Sequence, residues 1–155
     1  MIEPPQIVET EARLIASIRL VARWDEMRAV MGPGVGELNA AVAAQCVKVT
    51  GPWFNHHFRR PTETLDFEIC LPVASPVKPV GRVKPSELPA MRVARTVYHG
   101  GYEGLAGAWG ELQRWIAANR LMPRDDFWEC YVSGPESGAD PAQWRTELNW
   151  PIAPD

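Results

Sequence analysis

Two glutamates, Glu68 and Glu147, stand inside short apolar segments, and each is followed four residues later by a proline, Pro72 and Pro151. The chain also carries seven Trp, three Tyr and four Phe. A carboxylate held among aromatic rings suits an organic cation. The rings offer negative faces and exclude water, and the carboxylate supplies a counter-charge that acts more strongly where solvent is scarce. The same setting raises a carboxyl pKa by desolvation, which suits general acid or base work.

Other residue groups lead elsewhere. His56 and His57 are adjacent in an extended segment, so they point to opposite faces and do not chelate one ion as a pair. His99 precedes Gly100 and Gly101 and reads as a turn residue. Cys46, Cys70 and Cys130 are odd in number and lack a CxxC pair, so they make neither a disulfide framework nor a zinc set. No nucleophile elbow is present, and Cys70 and Cys130 have no basic neighbour in sequence. Gly32-Pro33-Gly34-Val35-Gly36 lacks the Lys and Ser/Thr of a phosphate-binding loop. The expectation is a chain with no metal and no cofactor.

Dense Pro and Gly punctuation divides the chain into the elements that must position these side chains. Ile7 to Leu20 is extended, with Ala12, Leu14, Ala16, Ile18 and Leu20 at period two. Trp24 to Met31 reads as a short helix broken by Gly32-Pro33-Gly34. Gly36 to Val47 reads as a helix with Leu38, Ala41, Val42 and Gln45 at three- and four-residue spacing. Trp53 to Phe58 and Leu65 to Val73 form a hairpin. Ser75 to Pro89, rich in Pro and basic residues, reads as an irregular crossover. Met91 to His99 is a strand, and Leu105 to Asn119 a helix with Trp109, Leu112, Trp115 and Ile116 on one face. Phe127 to Ser133 and Thr146 to Ile152 are two further strands, joined by a loop from Gly134 to Gln143.

The order is β-α-β-β, crossover, β-α-β-β, and the halves resemble each other. Gly36 to Gln45 aligns with Gly110 to Asn119 at an offset of 74, and Glu68 to Ala74 with Glu147 to Ala153 at an offset of 79. Two matched blocks in one order indicate internal duplication. The division is a first repeat at about 7–75, a linker at about 76–89 and a second repeat at about 90–153 of a single domain.

Strand alternation then places side chains. Phe67, Ile69 and Leu71 face one way and Asp66, Glu68 and Cys70 the other; Leu148 and Trp150 oppose Glu147 and Asn149. The apolar sets belong under the helices, which leaves Glu68 and Glu147 at equivalent positions on the opposite faces, flanking a shared groove. Trp115 and Trp150 read as core. Trp109 at the start of the second helix and Tyr102 just before it border the candidate cleft. Tyr131 is favoured over Trp128, which faces the other way. Phe54 and Phe58 share the parity of His56 and divide between core and cleft.

Length and charge bound the partners. The chain has 155 residues and a formal net charge of −3, which argues against direct nucleic-acid binding. The N-terminus has no basic or apolar leader pattern, and no apolar run reaches the ~20 residues that span a bilayer. The expectation is a soluble cytoplasmic protein with no membrane partner.

The segment His99-Gly100-Gly101-Tyr102, the helix through Trp109 and Trp115, the strand Trp128-Glu129-Cys130-Tyr131 and the ending Thr146 to Ile152 resemble the GyrI-like effector-binding domain family. This is the small-molecule domain at the C-terminus of some AraC-type and MerR-type multidrug regulators, also found free-standing. Glu68 to Val73 looks like the family's first-repeat counterpart. The resemblance covers nearly the whole chain from about Ile7.

It implies an α+β fold of duplicated β-α-β-β units with pseudo-twofold symmetry, antiparallel sheets and helices around a central ligand cleft. It implies a buried glutamate, falling on Glu147, among rings that accept amphipathic, often cationic, aromatic compounds. No helix-turn-helix segment is seen ahead of Ile7, so a free-standing form is expected. The first reading is a binding module for hydrophobic or cationic small molecules, with Glu147, Glu68, Tyr102, Trp109, Tyr131, Phe54 and Phe58 as ligand contacts. The alternative is a hydrolase of cyclopropane-bearing natural products with Glu147 as its catalytic carboxylate. A third is a partner that restrains DNA gyrase.

Overall fold

A computed structural model describes residues 1–135 and 138–154, the side chain at position 28 aside. In chain order its elements are β1 (Gln6–Glu9), β2 (Arg13–Arg23), α1 (Met27–Ala44), β3 (Phe54–His57), β4 (Thr64–Pro72), β5 (Lys84–Leu88), β6 (Arg92–His99), α2 (Leu105–Ala118), β7 (Phe127–Ser133) and β8 (Arg145–Pro151). Within the anticipated loop between β7 and β8, Glu136 and Ser137 lie outside the described residues. The chain divides into two compact units, Glu11–Ala90 and Met1–Thr10 with everything from Met91 onward.

The Glu11–Ala90 unit is an antiparallel sheet in the order β5-β2-β4-β3 with α1 on one face. Ala16 and Ile18 of β2 and Leu65, Phe67, Ile69 and Leu71 of β4 are buried with Leu38 and Val42 of α1. This is the period-two set meeting the helical stripe, as the sequence requires. α1 passes through Pro33 instead of stopping there. Pro33 is exposed, as is Ala29, whose carbonyl loses its donor, so that carbonyl is open to water. On the inner side, Gly34 is pressed against β4: a Cβ there would stand 2.7 Å from Ile69 Cδ1. The anticipated crossover contains a strand, since β5 pairs with β2 from Arg13↔Leu88 to Ser17↔Lys84. Its Pro85 is tolerated because β5 lies at the sheet edge.

The other unit repeats this plan in the order β1-β6-β8-β7, with α2 on one face. Ala94 and Tyr98 of β6, Leu148 and Trp150 of β8 and Phe127 of β7 are buried with Ala108, Leu112 and Ile116 of α2. β1 was expected to be continuous with β2. It instead pairs with β6, from Gln6↔Arg95 to Glu9↔Arg92. Thr10 closes this pairing: its backbone N–H donates to the Met91 carbonyl (2.8 Å), and its Oγ1 accepts from the Met91 N–H (3.1 Å). The fold is α+β, antiparallel throughout, and the two units share strand order and helix placement.

Candidate functional site

The α2 face of the second unit carries a carboxylate where its neighbours are rings. β7 alternates so that Phe127, Glu129 and Tyr131 share a face, and Glu129 stands directly opposite Leu148 of β8 in register. That face lies beneath α2. Trp109 in α2 donates its indole N–H to Glu129 Oε1 at 3.0 Å, and the Tyr131 hydroxyl donates to Oε2 at 2.7 Å. Burial pushes the Glu129 carboxyl above its ordinary pKa, and the hydrogen bonds from Tyr131 and Trp109 pull against that rise.

The surrounding rings are fixed by one another. Trp109 lies edge-on to Phe127 (centroids 4.9 Å apart) and to Trp150 (5.5 Å), and Phe127 stacks on Trp150 at 5.1 Å. Trp150 is anchored by its indole N–H, which donates to the Arg124 carbonyl at 2.8 Å. Tyr102 meets Tyr131 edge-on at 6.0 Å and Trp144 at 5.1 Å. Tyr102 itself is 38% exposed, so the ring wall meets solvent on that side.

The glycines before α2 set the position of Tyr102. The Tyr98 hydroxyl donates to the Gly101 carbonyl at 2.9 Å, and a Cβ on Gly104 would stand 2.0 Å from that hydroxyl oxygen. Gly100 holds φ at 141°, a backbone state that side chains disfavour. The His99-Gly100-Gly101-Tyr102 run is thus a chain path wrapped around one phenol. His99 pairs with the Glu3 carboxylate at 2.5 Å.

Of the residues singled out from sequence, Tyr102, Trp109 and Tyr131 come together around Glu129. Glu147 lies on the other face of β8. Its Oε1 accepts from Asn149 Nδ2 at 3.1 Å and stands 3.4 Å from Arg95 Nε, and its side chain is 25% exposed. Glu68 occupies the equivalent place in the first unit, 3.2 Å from His56 Nδ1, with its side chain 13% exposed. Both glutamates are therefore turned away from their helices and drawn out of open water. Phe54 is fully buried with the Arg13 guanidinium 5.0 Å over its ring. Phe58 lies 5.0 Å from His56 and beneath Arg19 at 4.8 Å.

Sequence reasoning passed over Glu129 and Trp144. The signal for Glu129 was a lone charge between Phe127 and Tyr131 on one parity of a strand. A separate cavity of about 500 Å³ lies in the first unit, lined by Arg23, Trp24, Asp25 and Glu63. The Trp24 indole N–H is already donated to the Thr62 carbonyl at 2.9 Å, and the Asp25 side chain is 71% exposed, so that hollow holds no desolvated charge.

Among the described residues no helix is long and apolar enough to cross a membrane. The chain matches no curated protein sequence. Among solved structures, it is similar over 98% of its length to the C-terminal domain of EcmrR, with 98% of that domain covered, 22% identity and a TM-score of 0.84. It is similar to EcmrR in an EcmrR–DNA complex at 21% identity and a TM-score of 0.85, where it spans 58% of that chain. A hydrolase encoded by lin2189 of Listeria innocua matches at 12% identity and a TM-score of 0.71, over 96% of this chain and 91% of that one. SAV2435 bound to tetraphenylphosphonium matches at 9% identity and a TM-score of 0.65, over 97% and 94% of the two chains. These likenesses establish the fold. Residues 3–153 match the family described as a GyrI-like small molecule binding domain, and the chain belongs to that family.

Proposed function

We propose that this chain binds hydrophobic aromatic compounds, organic cations among them, on the α2 face of its second unit, with Glu129 as the counter-charge. The observation that carries this reading is the double hydrogen bond from Trp109 and Tyr131 to one desolvated carboxylate inside a ring cluster. A carboxylate so placed is costly unless its charge is matched. A ligand cation matches it, and the ring faces add cation–π attraction. SAV2435, which shares the fold, was solved with tetraphenylphosphonium, an aromatic cation of the class proposed here.

Methylacridinium and acridine, the latter neutral at pH 8, form a matched pair of probes read by quenching of Trp fluorescence. The intact protein prefers the cation by about tenfold or more, the scale of a desolvated charge pair. Glu129→Gln levels the two. Glu147→Gln and Glu68→Gln, tested alongside, decide among the three carboxylates: loss of the cation preference in either of these and not in Glu129→Gln overturns the assignment.

The same carboxyl supports a second reading. Burial favours its protonated form, and a protonated carboxyl held among rings is a candidate general acid. It would protonate the departing carbon of a strained ring as water attacks the ring's electrophilic carbon and breaks that carbon–carbon bond, and the proton shed by the added water would return to the carboxylate, leaving a ring-opened alcohol. The Listeria innocua neighbour is described as a hydrolase. Product analysis with a cyclopropane-bearing alkylator separates the readings: ring-opened hydrate formed over many turnovers supports catalysis, and one-to-one binding without product supports a binder.

A further inference from the structure

Thr146 lies on the α2 face of β8, opposite Tyr131 of β7 and opposite Tyr98 of β6 in register. It is fully buried, and its Oγ1 has no hydrogen-bond partner among the described residues. A buried hydroxyl without a partner is rare and costly. Valine has the same shape and would carry no such cost. Tyr98 donates its hydroxyl to the Gly101 carbonyl and Tyr131 donates its own to Glu129, and neither phenol oxygen is a hydrogen-bond partner of Thr146 Oγ1.

Strand geometry fixes where this hydroxyl stands. Glu129 opposes Leu148, so Thr146 is its diagonal neighbour, two residues back on β8. Diagonal pairs are about 7 Å apart on one face of a sheet. The two strand positions therefore lie about 7 Å apart, close to the span of one aromatic ring with its substituents, with the Tyr102, Tyr131 and Trp144 rings at that end of the strand pair.

We propose that Thr146 is a specificity-determining ligand contact: its hydroxyl hydrogen-bonds a polar atom on the edge of a planar aromatic ligand whose cationic part faces Glu129. The site so described selects polycyclic cations with an amino, hydroxyl or carbonyl substituent about one ring away from the charge, over unsubstituted ones. A hydroxyl can donate or accept, so each of these substituents satisfies it. Thr146 is fully buried, so this contact requires neighbouring side chains to move when the ligand enters. This proposal rests on the Glu129 reading and adds a second polar contact to it.

The test uses methylacridinium and diamino-methylacridinium, both permanent cations, against the full chain and the variants Thr146→Val, Thr146→Ser and Glu129→Gln. The unaltered chain binds the diamino dye about fivefold or more tightly, the value of one neutral hydrogen bond. Thr146→Val removes that advantage and leaves methylacridinium affinity unchanged, while Thr146→Ser keeps it. A Thr146→Val protein with both affinities intact overturns the Thr146 assignment. So does an unaltered chain that does not distinguish the dyes. If Glu129→Gln still weakens both dyes in those cases, the Glu129 reading survives alone. If neither dye binds the unaltered chain, both assignments fall. Thr146→Ala replaces the valine variant if that does not fold, with the same outcomes.

Discussion

Tyr131 stands two residues beyond Glu129 on the same face of β7, and its hydroxyl donates to the Glu129 carboxylate across 2.7 Å. With the Trp109 indole on the other oxygen, both carboxylate oxygens are held. The carboxylate is thereby oriented before any ligand arrives, and its ordering cost is met in the folded protein. α2 supplies one donor and β7 the other, so helix and strand must dock correctly for the carboxylate to be aimed.

Cation affinity should rise with pH. Burial raises the Glu129 pKa in the free protein, and a bound cation favours the ionised form, so binding releases a proton in the window around that raised pKa. Below the window each binding event pays to ionise the carboxyl; above it the affinity is level. Titrating methylacridinium from pH 4.5 to 8.5 should show this rise, and Glu129→Gln should give a flat line. An equal slope in both proteins assigns the effect to another group.

Tyr131→Phe should move that rise to higher pH. The phenol bond stabilises the ionised carboxylate, so its loss lets desolvation act with less opposition. Below the raised pKa cation affinity falls about five- to tenfold, in line with a hydrogen bond to a charged group. At pH well above the window the loss shrinks. A uniform loss at every pH would mean that the hydroxyl acts on the ligand directly, and no loss at any pH would mean that Tyr131 acts through ring contact alone.

The sequence showed the units and most of the face, because period two and period 3.6 are direct consequences of how Cβ atoms point. Leu112 and Ile116 on α2, and Leu148 and Trp150 on β8, lie where that rule puts them. It also placed Glu68 and Glu147 on the faces away from the helices. What it could not weigh was whether α2 would cover its face with carbon alone. Trp109 and Tyr131 carry N–H and O–H groups that need partners when buried, and Glu129 is the acceptor that answers both. The split between β1 and β2 was equally hidden. Residues 7–20 alternate well enough for one strand, and only the Thr10–Met91 pairing, 81 positions apart, divides them.

Acid should weaken the first unit through His57. Its ring is buried against Phe67 at a centroid distance of 5.5 Å, and burial, helped by the neighbouring His56, lowers its pKa to about 4. An unfolded histidine takes up its proton near pH 6.5. Between those values the unfolded chain binds more protons than the native one, so stability is complete above pH 6.5 and falls as pH drops toward 4. The full loss is about 3 kcal/mol. Urea unfolding at stepped pH should show it, and His57→Gln should flatten that part of the profile. A slope unchanged by the substitution would clear His57.

Gly104→Ala should cost stability and ligand affinity together. The added methyl would stand 2.0 Å from the Tyr98 hydroxyl, which is itself committed to the Gly101 carbonyl. Either the phenol or the start of α2 must move, at about 2–3 kcal/mol for an overpacked core site. Tyr98→Phe alone loses one buried hydrogen bond, about 1 kcal/mol, and the carbonyl it served keeps the Gly104 N–H at 3.1 Å. In the Tyr98→Phe background the alanine meets a ring edge in place of an oxygen, so the double variant should be more stable than the sum of the single losses by about 1 kcal/mol. The turn that carries Tyr102 moves with Gly104, so Gly104→Ala should also weaken methylacridinium binding, and Tyr98→Phe should recover part of that loss. Strictly additive stabilities in the urea-unfolding cycle would show that the phenol and the glycine do not constrain each other, and would separate the Gly100–Gly104 turn from the placement of the ring wall.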